Sequence, residues 1–190
     1  FRADNTGPKI DWILFIPNAA PRPVPAYIGL NYYGNQELAP DPAIRLTEGW
    51  LRNNDKHFIT GNRASEKSRG LNPASWPYET LVTRGYALVT ACYGDIAPDD
   101  KVLYTNGVHV LFPPSTPGVG NDTTALGAWA WALMRGMDML EREPAIDAKR
   151  VAAVGCSRLA KTALLAGAKD ERFAVVIPNQ TGGGGVPLAK

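Results

Sequence analysis

The sequence predicts an α/β fold, a mostly parallel sheet with helices on both faces, and two observations carry that expectation. Short apolar runs alternate with helical patterns along the chain, and strand alternating with helix is the connectivity of a parallel sheet covered on both sides. The 190 residues, 45% apolar and 20% charged, suit one domain with a sizeable buried core.

Residues 11–17, DWILFIP, and 26–32, AYIGLNY, are short apolar runs ended by Pro or Gly-Asn and read as strands. SWPYETLVTRG, 75–85, reads as a helix closed by Gly85, and YALVTAC, 86–92, as the next strand. The segment from Asp122 to Glu143 is the clearest helix. Asp122, Thr123 and Thr124 offer N-caps, and Leu126, Trp129, Ala130, Leu133, Met134, Met137 and Leu140 fall on one face, a stripe that reads as core. Pro144 ends it. RVAAVG, 150–155, is then a strand, 157–168 a helix, and FAVVIP, 173–178, another strand. The polar, Pro- and Gly-rich stretches 34–74 and 93–121 each follow a predicted strand. That places them at the carboxyl edge of the sheet, where open α/β folds bind ligands, and loops of this length usually carry function.

Twenty Lys and Arg against 18 Asp and Glu give a net charge of +2, and the basic residues are scattered singly, which speaks against nucleic acid as a partner. No apolar run approaches the ~18 residues needed to span a bilayer, so no membrane role is expected. The opening FRADNTGPKI is neither a signal peptide nor an initiator methionine, and reads as a trimmed N-terminus. Cys92 and Cys156 lie in apolar, strand-like surroundings; their spacing decides neither a disulfide nor a compartment and matches no metal site.

The join between the strand at 150–155 and the helix after it carries the chemistry. A strand turning sharply into a helix lifts the residue at the turn clear of the sheet and aims the helix N-terminus at it, the nucleophile elbow, usually G-x-S-x-G. Here the residues are Gly155-Cys156-Ser157-Arg158-Leu159, then Ala160. Gly155 supplies the smallness that touching backbones require, Leu159 replaces the second glycine, and Ala160 is small one position late. The competing reading is a serine N-cap on an ordinary strand–helix unit.

Two cations favour a functional reading. Arg158 and Lys161, three apart, share a face in the first helical turn, where the dipole disfavours positive charge by ~0.3–1 kcal/mol each, while Leu159, Ala163 and Ala166 hold the opposite face. Cations so placed beside a candidate nucleophile suit one group that stabilises an oxyanion and another that holds a polar or anionic substrate. Solvated surface charge is the alternative.

The segment Gly155-Cys156-Ser157-Arg158-Leu159-Ala160-Lys161 resembles the G-C-S-R-x-G-K motif of the glucuronoyl esterases, carbohydrate esterase family 15, differing only at Ala160. PAYIGLNYYGN, YALVTACYGDIAPDD, GAWAWALMRGMDMLE and DERFAVVIPNQTGGGG extend the resemblance, to bacterial members in particular. It implies an α/β-hydrolase three-layer sandwich and a secreted or periplasmic, monomeric serine esterase without metal or cofactor. The implied substrate is the ester between 4-O-methyl-glucuronic acid of glucuronoxylan and a lignin alcohol. By the same resemblance Ser157 is the nucleophile, Arg158 the oxyanion-stabilising side chain and Lys161 a ligand for the glucuronate hydroxyls.

Two departures accompany it. The triad glutamate of fungal members falls on Gln180, whose amide cannot stabilise an imidazolium by charge; bacterial relatives often take the acid from a later strand. Both histidines, His57 and His109, precede the serine, whereas in α/β-hydrolase order the triad histidine follows it. The expectation is therefore a central segment, 1–190, of a longer catalytic domain, with the triad acid and base beyond Lys190. The fungal pattern also implies that Cys156 bridges to a cysteine outside this chain, leaving Cys92 as a buried thiol. Two other functions stay open: a different α/β-hydrolase, of acetyl esterase or peptidase type, and a non-catalytic carbohydrate-binding protein on a hydrolase scaffold.

Overall fold

The structure, a computed structural model, describes residues 6–100, 107–111 and 124–182. The chain divides into two compact units: Phe1–Ile13, Asn31–Pro77 and Ala91–Ala128 form the first, and Leu14–Leu30, Tyr78–Thr90 and Trp129–Lys190 the second.

The second unit holds most of a five-stranded sheet. Its strands are β1 (Ile13–Phe15), β2 (Val24–Asn31), β3 (Ala87–Cys92), β4 (Ile146–Cys156) and β5 (Val175–Asn179), in spatial order β1-β3-β2-β4-β5. β2 pairs with β4 and β4 with β5, both parallel. β3 is buried at every position, as a strand covered on both faces must be, whereas Val175 and Ile177 of β5, an end strand among those described, are exposed.

The described residues hold four α-helices: α1 (Tyr78–Thr83), α2 (Tyr93–Ile96), α3 (Ala125–Leu140) and α4 (Arg158–Lys169). α1 is shorter than the pattern at 75–85 suggests: Pro77, next to its start, follows a 3-10 turn at Pro73–Ser75, and Gly85, at φ 84°, closes the segment. For α3, Thr124 acts as the cap, its Oγ1 accepting from Gly127 N at 3.1 Å; Asp122 and Thr123 lie outside the described residues. Trp129, Leu133, Met137 and Leu140 are all at most 1% exposed, so most of the predicted stripe is core, while Leu126 and Met134 are only half-buried. α4 packs on β4 and β5. There the lack of a side chain on Gly167 is used, because a Cβ would sit 2.3 Å from Val176 Cγ2.

A guanidinium ties this unit together. Arg172 pairs with Asp170 at 2.7 Å, Glu141 at 2.8 Å and Asp138 at 2.9 Å, and donates to the Met134 carbonyl at 3.2 Å. One planar fork thus joins the end of α3 to the turn between α4 and β5. The hydrogen bond from Arg172 holds the Asp170 carboxyl below its ordinary range.

The first unit is built differently. The long stretch 34–74 is a succession of 3-10 turns, Asn35–Glu37, Asp55–His57, Glu66–Ser68 and Pro73–Ser75, held by side chains that stand in for a ladder. Gln36 Nε2 donates to the Tyr33 carbonyl and to Ser68 Oγ at 2.8 and 3.1 Å, Asn35 Nδ2 to the Asp11 carbonyl at 2.8 Å, and Arg69 to the carbonyls of Asp41 and Ile44. Gln36, Leu38, Leu51 and Ile59 are at most 1% exposed, so this loop has an interior of its own.

Candidate active site

The elbow is present in its geometric form. β4 runs into Ser157, which has φ 56° and ψ −121°, and α4 starts at Arg158. A positive φ at a residue with a Cβ costs on the order of 1–3 kcal/mol and persists only where the surroundings impose it. Three contacts do so. Ser157 N donates to the Asn179 carbonyl of β5 at 3.0 Å, and Ser157 O accepts from Ala160 N at 3.1 Å and Lys161 N at 3.3 Å. Gly155 sits against the first turn of α4, where a Cβ would lie 2.1 Å from the Leu159 carbonyl oxygen and 2.7 Å from Ala160 N. The glycine is thus demanded by backbone approach, and Ala160, fully buried, is the second small residue.

This geometry separates the two readings of Ser157. An N-cap serine spends its side chain on the helix, with its oxygen accepting from a first-turn N–H. Here the hydroxyl makes no capping bond to α4, and the residue is exposed.

Arg158 and Lys161 both lie half-buried in the first turn of α4, and Leu159, Ala163 and Ala166 are buried on the other face, as the spacing predicted. Thr162 Oγ1 donates to the Arg158 carbonyl at 3.1 Å, fixing the turn that carries both cations.

Gln180 follows β5 with φ 51°, and the Cys156 thiol donates to its Oε1 at 3.5 Å. The residue that replaces the fungal glutamate is therefore beside the elbow, engaged with the cysteine before the serine. Among the described residues neither Cys156, half-buried, nor Cys92, fully buried, forms a disulfide; burial pushes the Cys92 thiol up to about 12, with the Asp95 carboxylate adding to the effect.

Both histidines fall in the first unit. His57 lies in a 3-10 turn, as the loop reading implied, but its ring is held: Nδ1 is 3.0 and 2.9 Å from the two oxygens of Glu37, and Tyr33 stacks on it with centroids 3.5 Å apart. Glu37 is only 2% exposed. Burial raises its carboxyl above the ordinary range, with the His57 hydrogen bond working against the shift. His109 is buried in a 3-10 turn at Gly107–Leu111, and its Nε2 has no hydrogen-bond partner among the described residues. Burial lowers its pKa, because the charged ring loses its solvation. The local sequence singled out neither Glu37 nor Asp95, a second carboxyl that burial raises; their partners lie 20 to 48 residues away in the chain.

Comparison with known proteins bears on the family and the fold. The family model "Glucuronyl esterase, fungi" matches residues 82–189, more than half of the chain. Carbohydrate esterase MZ0003, from an unknown prokaryotic organism, is 39% identical over 193 residues, covering all of this chain and 44% of that protein. The 4-O-methyl-glucuronoyl methylesterase of Cerrena unicolor is 43% identical over 172 residues, 82% of this chain and 36% of its own length. Among solved structures, the glucuronoyl esterase from Solibacter usitatus superposes with a TM-score of 0.80 at 38% identity, over 94% of this chain and 45% of that one. The chain thus spans less than half the length of these relatives, and its fold is that of their α/β-hydrolase domain. With more than half of its residues under the family model, and prokaryotic relatives matching nearly its whole length, the chain belongs to the glucuronoyl esterases, carbohydrate esterase family 15.

Proposed function

We propose that this chain carries the nucleophile of a serine esterase that hydrolyses the ester between 4-O-methyl-glucuronic acid of glucuronoxylan and lignin alcohols. The observation that carries the proposal is Ser157 itself: exposed, strained, and not spent on capping α4. Ser157 Oγ attacks the glucuronoyl carbonyl while a base takes its proton, Arg158 stabilises the tetrahedral oxyanion, and the alcohol leaves with that proton. Water then attacks the acyl-enzyme, and the free uronic acid departs as Ser157 regains its hydrogen. The base and its acid are groups other than His57, His109 and Gln180. Lys161, one turn after Ser157, holds hydroxyls of the acyl sugar. The substrate is a wall polymer, so the enzyme works outside the cytoplasm.

The test uses full-length protein on benzyl glucuronate and on a simple acetate ester. Ser157→Ala is expected to lower turnover on the glucuronate ester by ~10³-fold or more. Lys161→Ala is expected to weaken glucuronate hydrolysis by tens- to hundreds-fold, the value of a charged hydrogen bond at ~1.5–3 kcal/mol, while sparing acetate hydrolysis. Equal losses on both esters would leave Lys161 with a structural role and favour a general carboxylesterase.

A further inference from the structure

The first unit contains a cleft of about 560 Å³, within the ~300–1,000 Å³ typical of small-molecule sites. Its floor is made where two loops press together. A Cβ on Gly49 would lie 2.3 Å from the Gly94 carbonyl carbon, and one on Gly94 would lie 2.0 Å from the Trp50 carbonyl oxygen. Only glycine at both positions lets the backbones stack, and Trp50 N donates to the Gly94 carbonyl across the contact at 3.3 Å. Asp95 follows directly. Its Oδ1 accepts from the Thr47 hydroxyl and, at 2.8 Å, from Gly49 N. The carboxylate is therefore fixed in orientation while its side chain still lines the cleft. A rigid carboxylate beside a half-buried indole is more construction than chain reversal needs.

The rest of the lining says what would fit. Lys9, Arg45 and Arg63 line it together with Asp11, Glu48 and Asp95, so the charges balance. Arg45 is 3.3 Å from Asp11, and Arg63 Nη1 donates to the Glu48 carbonyl at 3.0 Å. A balanced lining attracts neither an anion nor a cation over the other, yet it is dense in both donors and acceptors. Each hydroxyl of a sugar ring donates and accepts, and the ring's C–H face packs on an indole.

We propose that this cleft binds a neutral pyranose residue of a polysaccharide main chain, with Asp95 accepting from ring hydroxyls, Trp50 packing on the ring and Arg45 donating. The choice of a plant-wall polymer rests on the esterase reading above; the site itself does not. Titration calorimetry of the full-length protein with xylohexaose, cellohexaose and glucuronic acid tests it. Neither hexaose carries an ester, so binding is read independently of hydrolysis. The unmodified protein is expected to bind a neutral hexaose. Trp50→Ala and Asp95→Asn should each weaken binding about tenfold or more. Arg45→Ala, at an exposed side chain, should weaken it severalfold and decides the matter if thermal melts show the other two variants unfolded. Xylohexaose alone binding identifies a pentose chain, and cellohexaose alone a hexose chain. No binding of either, unchanged binding in the folded variants, or displacement by glucuronic acid at comparable concentration would overturn the proposal. Loss of ester hydrolysis in every form, with sugar binding intact, would instead overturn the esterase reading and leave this one standing.

Discussion

The two units treat their less exposed carboxylates in opposite ways, whereas Glu66 of the first, at the surface, is held below its ordinary range by the Arg69 hydrogen bond. In the second, Asp170 and Asp147 lie below their ordinary range because Arg172 and Arg150 donate hydrogen bonds to them. In the first, burial holds Glu37 and Asp95 above it, although His57 donates to one and Thr47 and Gly49 to the other. Backbone strain is placed differently too. The second unit concentrates it at the elbow and its neighbour, Ser157 and Gln180, whereas the first has Phe58 and Asn62 at positive φ in an irregular loop. The contrast teaches that a strand–helix scaffold can hold one strained residue because everything around it is satisfied. A loop-built unit has to desolvate charge to fix its shape.

Breaking the scaffold at its tightest point should give the largest effect. Gly155→Ala puts a methyl 2.1 Å from the Leu159 carbonyl, backbone against backbone, so β4 and α4 must part. The expected loss is ~1–3 kcal/mol of stability, and about a hundredfold in turnover, since a displacement near 1 Å at the nucleophile is enough for that. Melting and ester hydrolysis measured on the full-length protein check it. A variant with unchanged melting and turnover would mean that the join yields cheaply and that Ser157 is not held by it.

The same contrast explains what could be read from the sequence. The elbow was legible because all its determinants are local: Gly155, Ser157, Arg158, Ala160 and Lys161 lie within seven positions. α3 was legible because its stripe repeats over four turns. β4 begins earlier than RVAAVG suggests, at Ile146 opposite Val24, and the mostly polar residues from Asp147 to Arg150 fall where its register with β2 shifts, which no local pattern announces. β5 likewise starts at Val175 rather than Phe173, which is buried in the turn before it. Glu37, Asp95 and the interior of 34–74 were not legible. Each depends on a partner distant in sequence, and nothing about Glu37 in NQEL or Asp95 in YGDI announces burial.

A pH series sharpens the electrostatic half of the comparison, first in the second unit. For Asp170 the folded pKa lies below the unfolded reference of 3.8, so its contribution is fully present above that reference and is lost as pH falls through the lowered folded value. Asp170→Asn leaves Arg172 its bonds to Asp138 and Glu141. The expected loss is therefore only up to about 1 kcal/mol at pH 7 for a partly exposed pair, and the two proteins should converge as the pH drops below about 4. A gap in urea midpoint that stayed constant through the acid range would assign the loss to packing or to the turn.

Glu37 should give the smallest effect, with the opposite sign. Its folded pKa is raised above the 4.5 reference, so between the two values the folded chain binds more proton than the unfolded one, and stability falls as pH rises through that window. Glu37→Gln keeps an oxygen to accept from His57 Nδ1 and removes the titration. It should match the unmodified protein below about pH 4.5, where the native side chain is itself neutral, and exceed it by up to about 1 kcal/mol above the window. Urea unfolding of the full-length protein between pH 4 and 7 measures the difference. A variant that instead lost stability progressively as pH rose would show that the Glu37–His57 contact outweighs desolvation. The first unit would then be held, like the second, by charge that is stabilised rather than tolerated.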